Sequence, residues 1–387
     1  MRLLPLFLLA ATAAAHAQFE LQESHTTASL RGIHAVSAEV AWASGTGGTV
    51  LRTEDGGKNW KLCAVPEGAE KLDFRGVQAF DATTAIVMSS GTGDLSRIYK
   101  TVDGCSTWTL AFTNPDKDGF FDAVRFRPGE FSVRGRGVLL GDPVNGEFAL
   151  FLTTDGGDTW IRRLVAKHDS SHDCSVKKFA ASAGEAVFAA SNEALAYEDT
   201  GSFYFVTGGA RSRLAYVGQF RELDGLWCSD VSKFIKLPLG GAPSAGAFAT
   251  AVKTRQGQVL RQMMVVGGDY RQPEVSAATA VFVSLPPTGS PYPPSMYFSA
   301  RSSKHPPHGY RSSVAYDDRT KTWITVGPNG TDLSRDDGKN WRPSKPGLQD
   351  QPDADKNWNA LSLPFVVGPK GRIGRLRPGA LVASPKK

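Results

Sequence analysis

Thr153-Thr154-Asp155-Gly156-Gly157-Asp158-Thr159-Trp160 follows the apolar run Phe148-Ala149-Leu150-Phe151-Leu152, and it decides the fold. The same phrase returns at Thr53 to Trp60, at Thr101 to Trp108 and at Ser334 to Trp341. All copies fit (Ser/Thr)-x-Asp-x-Gly-x-x-Trp, with Cys105 in place of the glycine once. The carboxylates of Asp55, Asp103, Asp155 and Asp336 can accept backbone N–H bonds within their own turns. The glycine permits positive φ. Trp60, Trp108, Trp160 and Trp341 are read as packing under their hairpins, each burial stabilising by roughly 2–3 kcal/mol. These jobs are structural, since a catalytic acid is not needed in every copy. The phrase also lacks the dense carboxylate spacing of a calcium loop.

Around each phrase the chain repeats a longer unit. Leu30 to Val36, Val40 to Gly45 and Thr49 to Arg52 lead into the first copy. Phe74 to Phe80 opens the second unit and Phe121 to Phe126 the third. The runs are short, rich in Val, Ile, Phe and Thr, and lack helical spacing. The aspartates step by 48 (55 to 103) and by 52 (103 to 155), and the next copy comes 181 residues later (155 to 336). Degenerate units are expected in that gap. One should open at Lys178 to Ala181 with a second strand at Ala186 to Ala190, and another at Gly246 to Thr250. Tyr310 to Tyr316 opens the unit ending in Trp341, and a partial unit runs from Trp358 to Leu376.

Four-stranded units of this length, repeated, predict an all-β chain, a β-propeller of seven blades. Phe19-Glu20-Leu21-Gln22 is expected to supply the strand missing from the last unit, so that both chain ends close the ring. Residues 18–378 form the propeller in this reading. Pro286 to Pro307 reads as a surface insertion and residues 379–387 as a disordered tail.

Residues 1–17 read as a secretory signal. Arg2 is followed by an apolar run to Ala15, and Ala15-His16-Ala17 is a small-x-small cleavage site, so Gln18 would begin the mature chain. The apolar run is too short for a permanent anchor, and no later segment is long and apolar enough to span a bilayer. A periplasmic or secreted location follows. Export permits disulfides. The four cysteines allow three pairings, of which Cys63–Cys105 and Cys174–Cys228 are favoured. None has CxxC spacing, so no metal or redox site is expected. Net charge is +6, without a basic run of the kind nucleic acid needs.

The turn phrase resembles the Asp-box, or BNR repeat, of sialidases and other propellers. With Arg75-Gly76-Val77, Gly45 to Val50 and Thr53 to Trp60, the longer pattern resembles the photosystem II assembly-factor-like family. Gly141 to Gly146, Gly267 to Tyr270 and Gly309 to Ser312 resemble stretches of its exported, non-photosynthetic bacterial relatives. The resemblance implies seven blades. It does not imply photosynthesis.

In such a blade the first strand lines the channel, and the Asp turn lies at the face where that strand ends. The opposite face therefore collects the openings of first strands, Arg31, Arg75, Asp122, Arg311 and Asn359. Loops between second and third strands add Asp142, Asn192, Asp269, Tyr270 and Asn329. Two readings are open: a self-paired polar ring, or a site whose arginines fork onto a carboxylate. His34 and Gln78, further along their strands, read as channel lining.

The expected function is a noncatalytic binding or assembly scaffold of the envelope, binding a protein or glycan ligand as a monomer without cofactor or metal. The alternative is a sialidase-like glycoside hydrolase, with Arg31, Arg75 and Arg311 holding a carboxylate. Against it, no Arg-Ile-Pro precedes the first Asp-box and no convincing Tyr–Glu pair is found. An oxidoreductase, as some relatives are labelled, finds no GxGxxG after a strand and no CxxCH.

Overall fold

The computed structural model describes residues 17–128, 135–162, 179–198, 201–218, 220–223, 226–229, 232–253, 261–285 and 298–382. Alternating short apolar runs and tight turns fold as antiparallel four-stranded sheets. Blade one is Leu30–Ala35, Ala41–Gly45, Val50–Thr53 and Lys61–Leu62. Blade two is Phe74–Ala79, Ala85–Ser89, Arg97–Thr101 and Thr109–Thr113, and blade three is Phe121–Phe126, Gly137–Val144, Glu147–Thr153 and Ile161–Arg162. Blade four is Leu195–Tyr197, Phe203–Val206, Arg213–Val217 and Ser232–Lys236. Blade five is Ala242–Lys253, Arg261–Asp269, Ala280–Leu285 and Ser299–Ser302, and the short strands Gly208–Gly209 and Glu185–Ala186 extend its sheet past the first of these. Blade six is Ser313–Asp317, Thr322–Gly327, Gly330–Ser334 and Arg342–Pro343.

Blade seven joins Ala360–Ser362, Phe365–Val367 and Ile373–Leu376 to the N-terminal strand Phe19–Gln22, with Phe19 opposite Leu376 and Gln22 opposite Ile373. The ring is closed by both chain ends, as the sequence predicts. A sheet with every edge strand covered or short leaves little template for edge-to-edge association. The only helical piece among the described residues is the single 3-10 turn Gly93–Leu95, and none of their helices could cross a membrane.

Second strands such as Ala85–Ser89 are buried at every residue because blades pack on both of their faces. The core is accordingly a series of wedges between blades. In one, Ile86, Met88 and Ile98 of blade two meet Phe121, Leu139 and Phe151 of blade three.

The Asp turns strengthen these wedges. In the first, the Thr53 hydroxyl donates to Asp55 Oδ1 (2.9 Å) and accepts from Gly57 N (2.9 Å), and Asn59 N donates to Asp55 Oδ1 (2.9 Å). The network recurs around Asp103, Asp155 and Asp336. Hydrogen bonds from Asn59 and Thr107 hold the Asp55 and Asp103 carboxyls down to about 2. The tryptophans reach further than their own hairpins. Trp60 packs edge-on to Phe365 of blade seven at 5.6 Å, and its indole N–H donates to Gln22 Oε1 (3.0 Å). Trp108 donates to Ala64 O and Trp341 to Ser303 Oγ, each at the end of the preceding blade. Each of these turns therefore clamps its blade to the one before.

Cys105 stands at the left-handed position (φ 66°) that glycine holds in the other copies. It is bonded to Cys63, the pairing the sequence favours, so the disulfide also joins adjacent blades. Cys174 lies outside the described residues, and with it the expected Cys174–Cys228 pairing.

Three expectations need correction. Blade four does not open at Lys178 to Ala181, where Ala180 makes only an isolated bridge to Glu147. Its first strand is Leu195–Tyr197. The Pro286–Pro307 stretch is not wholly an insertion: Ser299–Ser302 is the outer strand of blade five, while 286–297 lie outside the described residues. Leu381, within the expected tail 379–387, is buried against the group containing Phe19 and Trp358, while 383–387 lie outside the described residues.

Candidate functional site

The apolar stretch expected to form blade four's second strand does something else. After the short strand Glu185–Ala186, residues 187–194 cross the channel and close it. Val187 N donates to Asp142 Oδ1 (2.9 Å) on blade three. Ser191 Oγ donates to Ser312 O (2.7 Å) beside blade six. Asn192 Oδ1 accepts from Val124 N (2.8 Å), while its amide donates to Val124 O (3.0 Å) and Val77 O (3.4 Å). Glu193 Oε2 accepts from Ser313 Oγ (2.6 Å) and Val314 N (3.1 Å), and Glu193 O accepts from Thr250 N (2.9 Å) of blade five. One segment thus ties blades two, three, five and six across the axis. Gly76 has to stay small beneath it, since a Cβ there would lie 2.9 Å from Asn192 Oδ1. The plug divides the channel into two mouths.

The mouth away from the Asp turns holds the residues the sequence singles out. A register shift interrupts the first strand between Leu30 and Gly32, between Phe74 and Gly76, between Phe121 and Ala123 and between Ala247 and Ala249. The extra residues are Arg31, Arg75, Asp122 and Phe248. A bulge leaves its extra residue out of the ladder and re-aims the side chain, so one device, repeated, furnishes this mouth.

Arg75 Nε lies 2.8 Å from Asp73 Oδ2, and Arg31 Nε lies 3.9 Å from Asp73 Oδ1. Two guanidinium groups therefore share one carboxylate and leave a surplus positive charge, with both arginines about one-third exposed. Arg75 also lies over the Phe120 ring and donates to Ala189 O of the plug.

Asp122 is buried, and neither of its oxygens accepts a hydrogen bond. The nearby Asp142 N–H is already given to Phe120 O (2.9 Å). Burial, and then the Asp142 charge, push the Asp122 carboxyl well above its ordinary range, against the pull of Arg75. Burial raises Asp142 to about 6. Burial thus shifts Asp122 toward its protonated form and away from serving as a counter-charge for the arginines.

Arg311 is fully buried and committed. It pairs with Asp332, which is equally buried, and donates to Asn329 Oδ1 and Tyr310 O. Asn329 in turn donates to Pro273 O (2.9 Å). The three-arginine clamp a sialidase-type site needs is therefore not formed: Arg311 is closed off, and Arg31 and Arg75 face Asp73. Asn192, expected in a loop between second and third strands, is buried in the plug with its amide fully used. Asn359 donates to Leu30 O (2.7 Å) and joins blade seven to blade one. Asp269 accepts from Arg271 N (2.9 Å) and so shapes its own loop.

Beside the arginines lies an aromatic group the sequence reading caught only at Tyr270. Phe188 of the plug stacks on Phe248 at 4.1 Å. Tyr270 stands edge-on to both, and Tyr310 edge-on to Phe248 at 4.7 Å. Tyr270 remains 46% exposed, an unusual amount of free aromatic surface next to charge. Together they form a cationic and aromatic patch on a rigid rim. The stacking of repeats finds three of the bulge residues, Arg31, Arg75 and Asp122, and misses Phe248. Phe188 could not be found this way because its segment obeys no blade period.

The other mouth, on the side of the Asp turns, is a cavity of about 680 Å³. His34 and Gln78 line it, as expected, and Arg125, Glu193 and Tyr316 join them. No group of three or more potential metal-ligating side chains occurs among the described residues.

Fold and rim define the class, a seven-bladed β-propeller with its channel plugged and one mouth basic and aromatic. The structure is similar to that of YCF48 bound to D1 peptide, at 16% identity and TM-score 0.55, over 97% of this chain and 100% of that one. It is also similar to YCF48 from Cyanidioschyzon merolae, at 17% identity and TM-score 0.54, over 94% and 99%. The WD40 propeller domain of Doa1 superposes at 10% identity and TM-score 0.52, over 96% and 100%. At these identities the likeness is one of fold. No family model and no curated protein matches the chain.

Proposed function

We propose that this protein is an exported, noncatalytic scaffold of the cell envelope, working as a monomer. It binds a protein ligand at the mouth away from the Asp turns, which we read as Asp-boxes of an exported relative of the YCF48 fold. The observation that carries the reading is the shared Asp73: two partly exposed arginines face a single carboxylate, beside an exposed Tyr270. A peptide bearing a carboxylate and an apolar side chain complements that pair, the first by forked charge-assisted bonds and the second by aromatic contact. The neighbour bound to D1 peptide supports a protein rather than a glycan ligand. Residues 1–17 support export, with Gln18 as the first residue of the mature chain.

The test is peptide display against the purified mature protein, followed by binding isotherms of the selected peptides. The combined change Arg31→Ala and Arg75→Ala is expected to weaken binding at least tenfold, about 1.4 kcal/mol. Selected peptides that bind the double variant unchanged would refute the assignment of this face. Terminal sequencing of the protein from fractionated cells should begin at Gln18 in the periplasm or medium, and a cytoplasmic chain retaining Met1 would refute export.

A further inference from the structure

We propose that the cavity at the opposite mouth is a second, separate ligand site, one that takes a small carboxylic acid with an apolar body and seats its carboxylate on Arg125. Arg125 is the fifth residue of blade three's first strand and projects into the channel under the plug. Its Nε donates to Leu195 O (3.3 Å). Its two terminal nitrogens hydrogen-bond to nothing among the described residues, although a guanidinium offers five donors in a planar fork that matches a carboxylate. A cation held in a channel with its terminal nitrogens open is the kind of group an anionic ligand completes.

No carboxylate forms an ion pair with it among the described residues. Glu193 is the acid whose charge acts on it, but its Oε2 is held by Ser313 and Val314, and burial raises it to about 7 against the pull of Arg125. Glu198, the other carboxylate on the wall, is paired with Arg261. His34 adds no charge: burial, and then Arg125, lower it to about 3, so it stays neutral with Nε2 facing the Gln78 amide at 3.0 Å. Arg127 also lines the wall, and a planar carboxylate matches the fork that the terminal nitrogens of Arg125 leave open.

The rest of the wall sets the body of the ligand. Phe80, Phe126, Leu195, Val252 and Leu361 line it. The plug closes its inner end, so a ligand enters from one side only. About 680 Å³ lies within the range of small-molecule sites. The site is distinct from the Arg31 and Arg75 patch, because the plug stands between them.

Phenylacetate and hexanoate would be titrated into the full mature chain by calorimetry, with phenylacetamide, hexanamide and inorganic phosphate as controls. Both acids should compete for one site, at least tenfold more tightly than their amides or phosphate. Arg125→Gln should abolish the preference for acid over amide, and Arg31→Ala should leave it unchanged. No acid binding at millimolar concentration, equal binding of acid and amide, or tighter binding of phosphate would overturn the proposal. So would a preference that survives Arg125→Gln. Should that variant fail to fold by circular dichroism, saturation-transfer NMR on the unaltered protein still decides: the aromatic protons of phenylacetate must receive saturation that hexanoate displaces and hexanamide does not.

Discussion

The two mouths of the channel are built from the same strands and solve opposite problems. At the rim away from the Asp turns, charge is largely answered by the protein itself: Arg311 by Asp332, Arg75 by Asp73, and Asp122 by burial that favours its protonated form. Only the second guanidinium at Asp73 and the face of Tyr270 are left over. At the other mouth apolar and charged side chains share the wall, and the terminal nitrogens of Arg125 hydrogen-bond to nothing among the described residues. The plug makes the difference possible. It seals each mouth from the other, and its aromatic end serves the first while its acidic end lines the second. A propeller ring offers a hole, and here the hole has become two unlike surfaces. The first suits the edge of a protein, the second a small molecule.

The largest expected effect concerns the closed part of the first mouth. Arg311→Ala leaves Asp332 buried and short of its main partner, and should cost about 3–5 kcal/mol in urea unfolding. Arg31→Ala, by contrast, should cost no more than about 1 kcal/mol, as exposed pairs do. Equal costs would erase the distinction between a structural arginine and a binding one.

The plug comes next. Asn192→Ala strands Val124 N, Val124 O and Val77 O in the interior, and a loss of about 2–3 kcal/mol is expected. A change below about 0.5 kcal/mol, the range of an inconsequential surface site, would mean the two mouths are not separated by a rigid element.

The third effect is smaller and depends on pH. A carboxyl raised by folding gives stability that is complete below its unfolded value and lost as pH rises toward the folded one. For Asp142 that window runs from 3.8 to about 6, and for Asp122, raised well above 3.8, it extends further. Asp122→Asn removes the loss. Its stability relative to the unaltered protein should therefore improve as pH rises from 4 toward 8, by about 1.4 kcal/mol for each unit over which Asp122 keeps its proton in the fold. A constant offset across that range would mean Asp122 is ionised in the fold and pairs with the arginines after all.

Much of this was legible in the sequence, for a physical reason. The Asp turn needs a hydroxyl, a carboxylate, positive φ and a large ring at fixed spacing, so it is readable wherever it occurs. It told the number of blades, the closing of the ring through Phe19–Gln22 and which end of each first strand faces which way. The Cys63–Cys105 bond was accessible through the same register. Blade four was not, because no Asp turn marks it. There a hairpin, Phe220–Leu223 with Leu226–Ser229, stands between the third and fourth strands. Val187, Phe188 and Ala189 have the composition of a buried strand, and crossing a channel buries residues as well as pairing does. Composition cannot separate the two. Arg311 also misled: it aligns with Arg31 and Arg75 by repeat position, yet blade six has no bulge there to turn it outward. Arg125 was within reach, since it aligns with His34 and Gln78, whose channel-lining place was read correctly.

The central claim is that a protein partner docks on the rim carrying Arg31, Arg75 and Tyr270. Its most direct test is photocrosslinking in intact cells, with a benzophenone amino acid at Tyr270 or at Lys58, which is exposed on an Asp turn at the opposite face. A discrete crosslinked protein band from position 270, absent from position 58 and lost when Arg31 and Arg75 are both alanine, is the result this account predicts. The same band arising from position 58 and not from position 270 would contradict it.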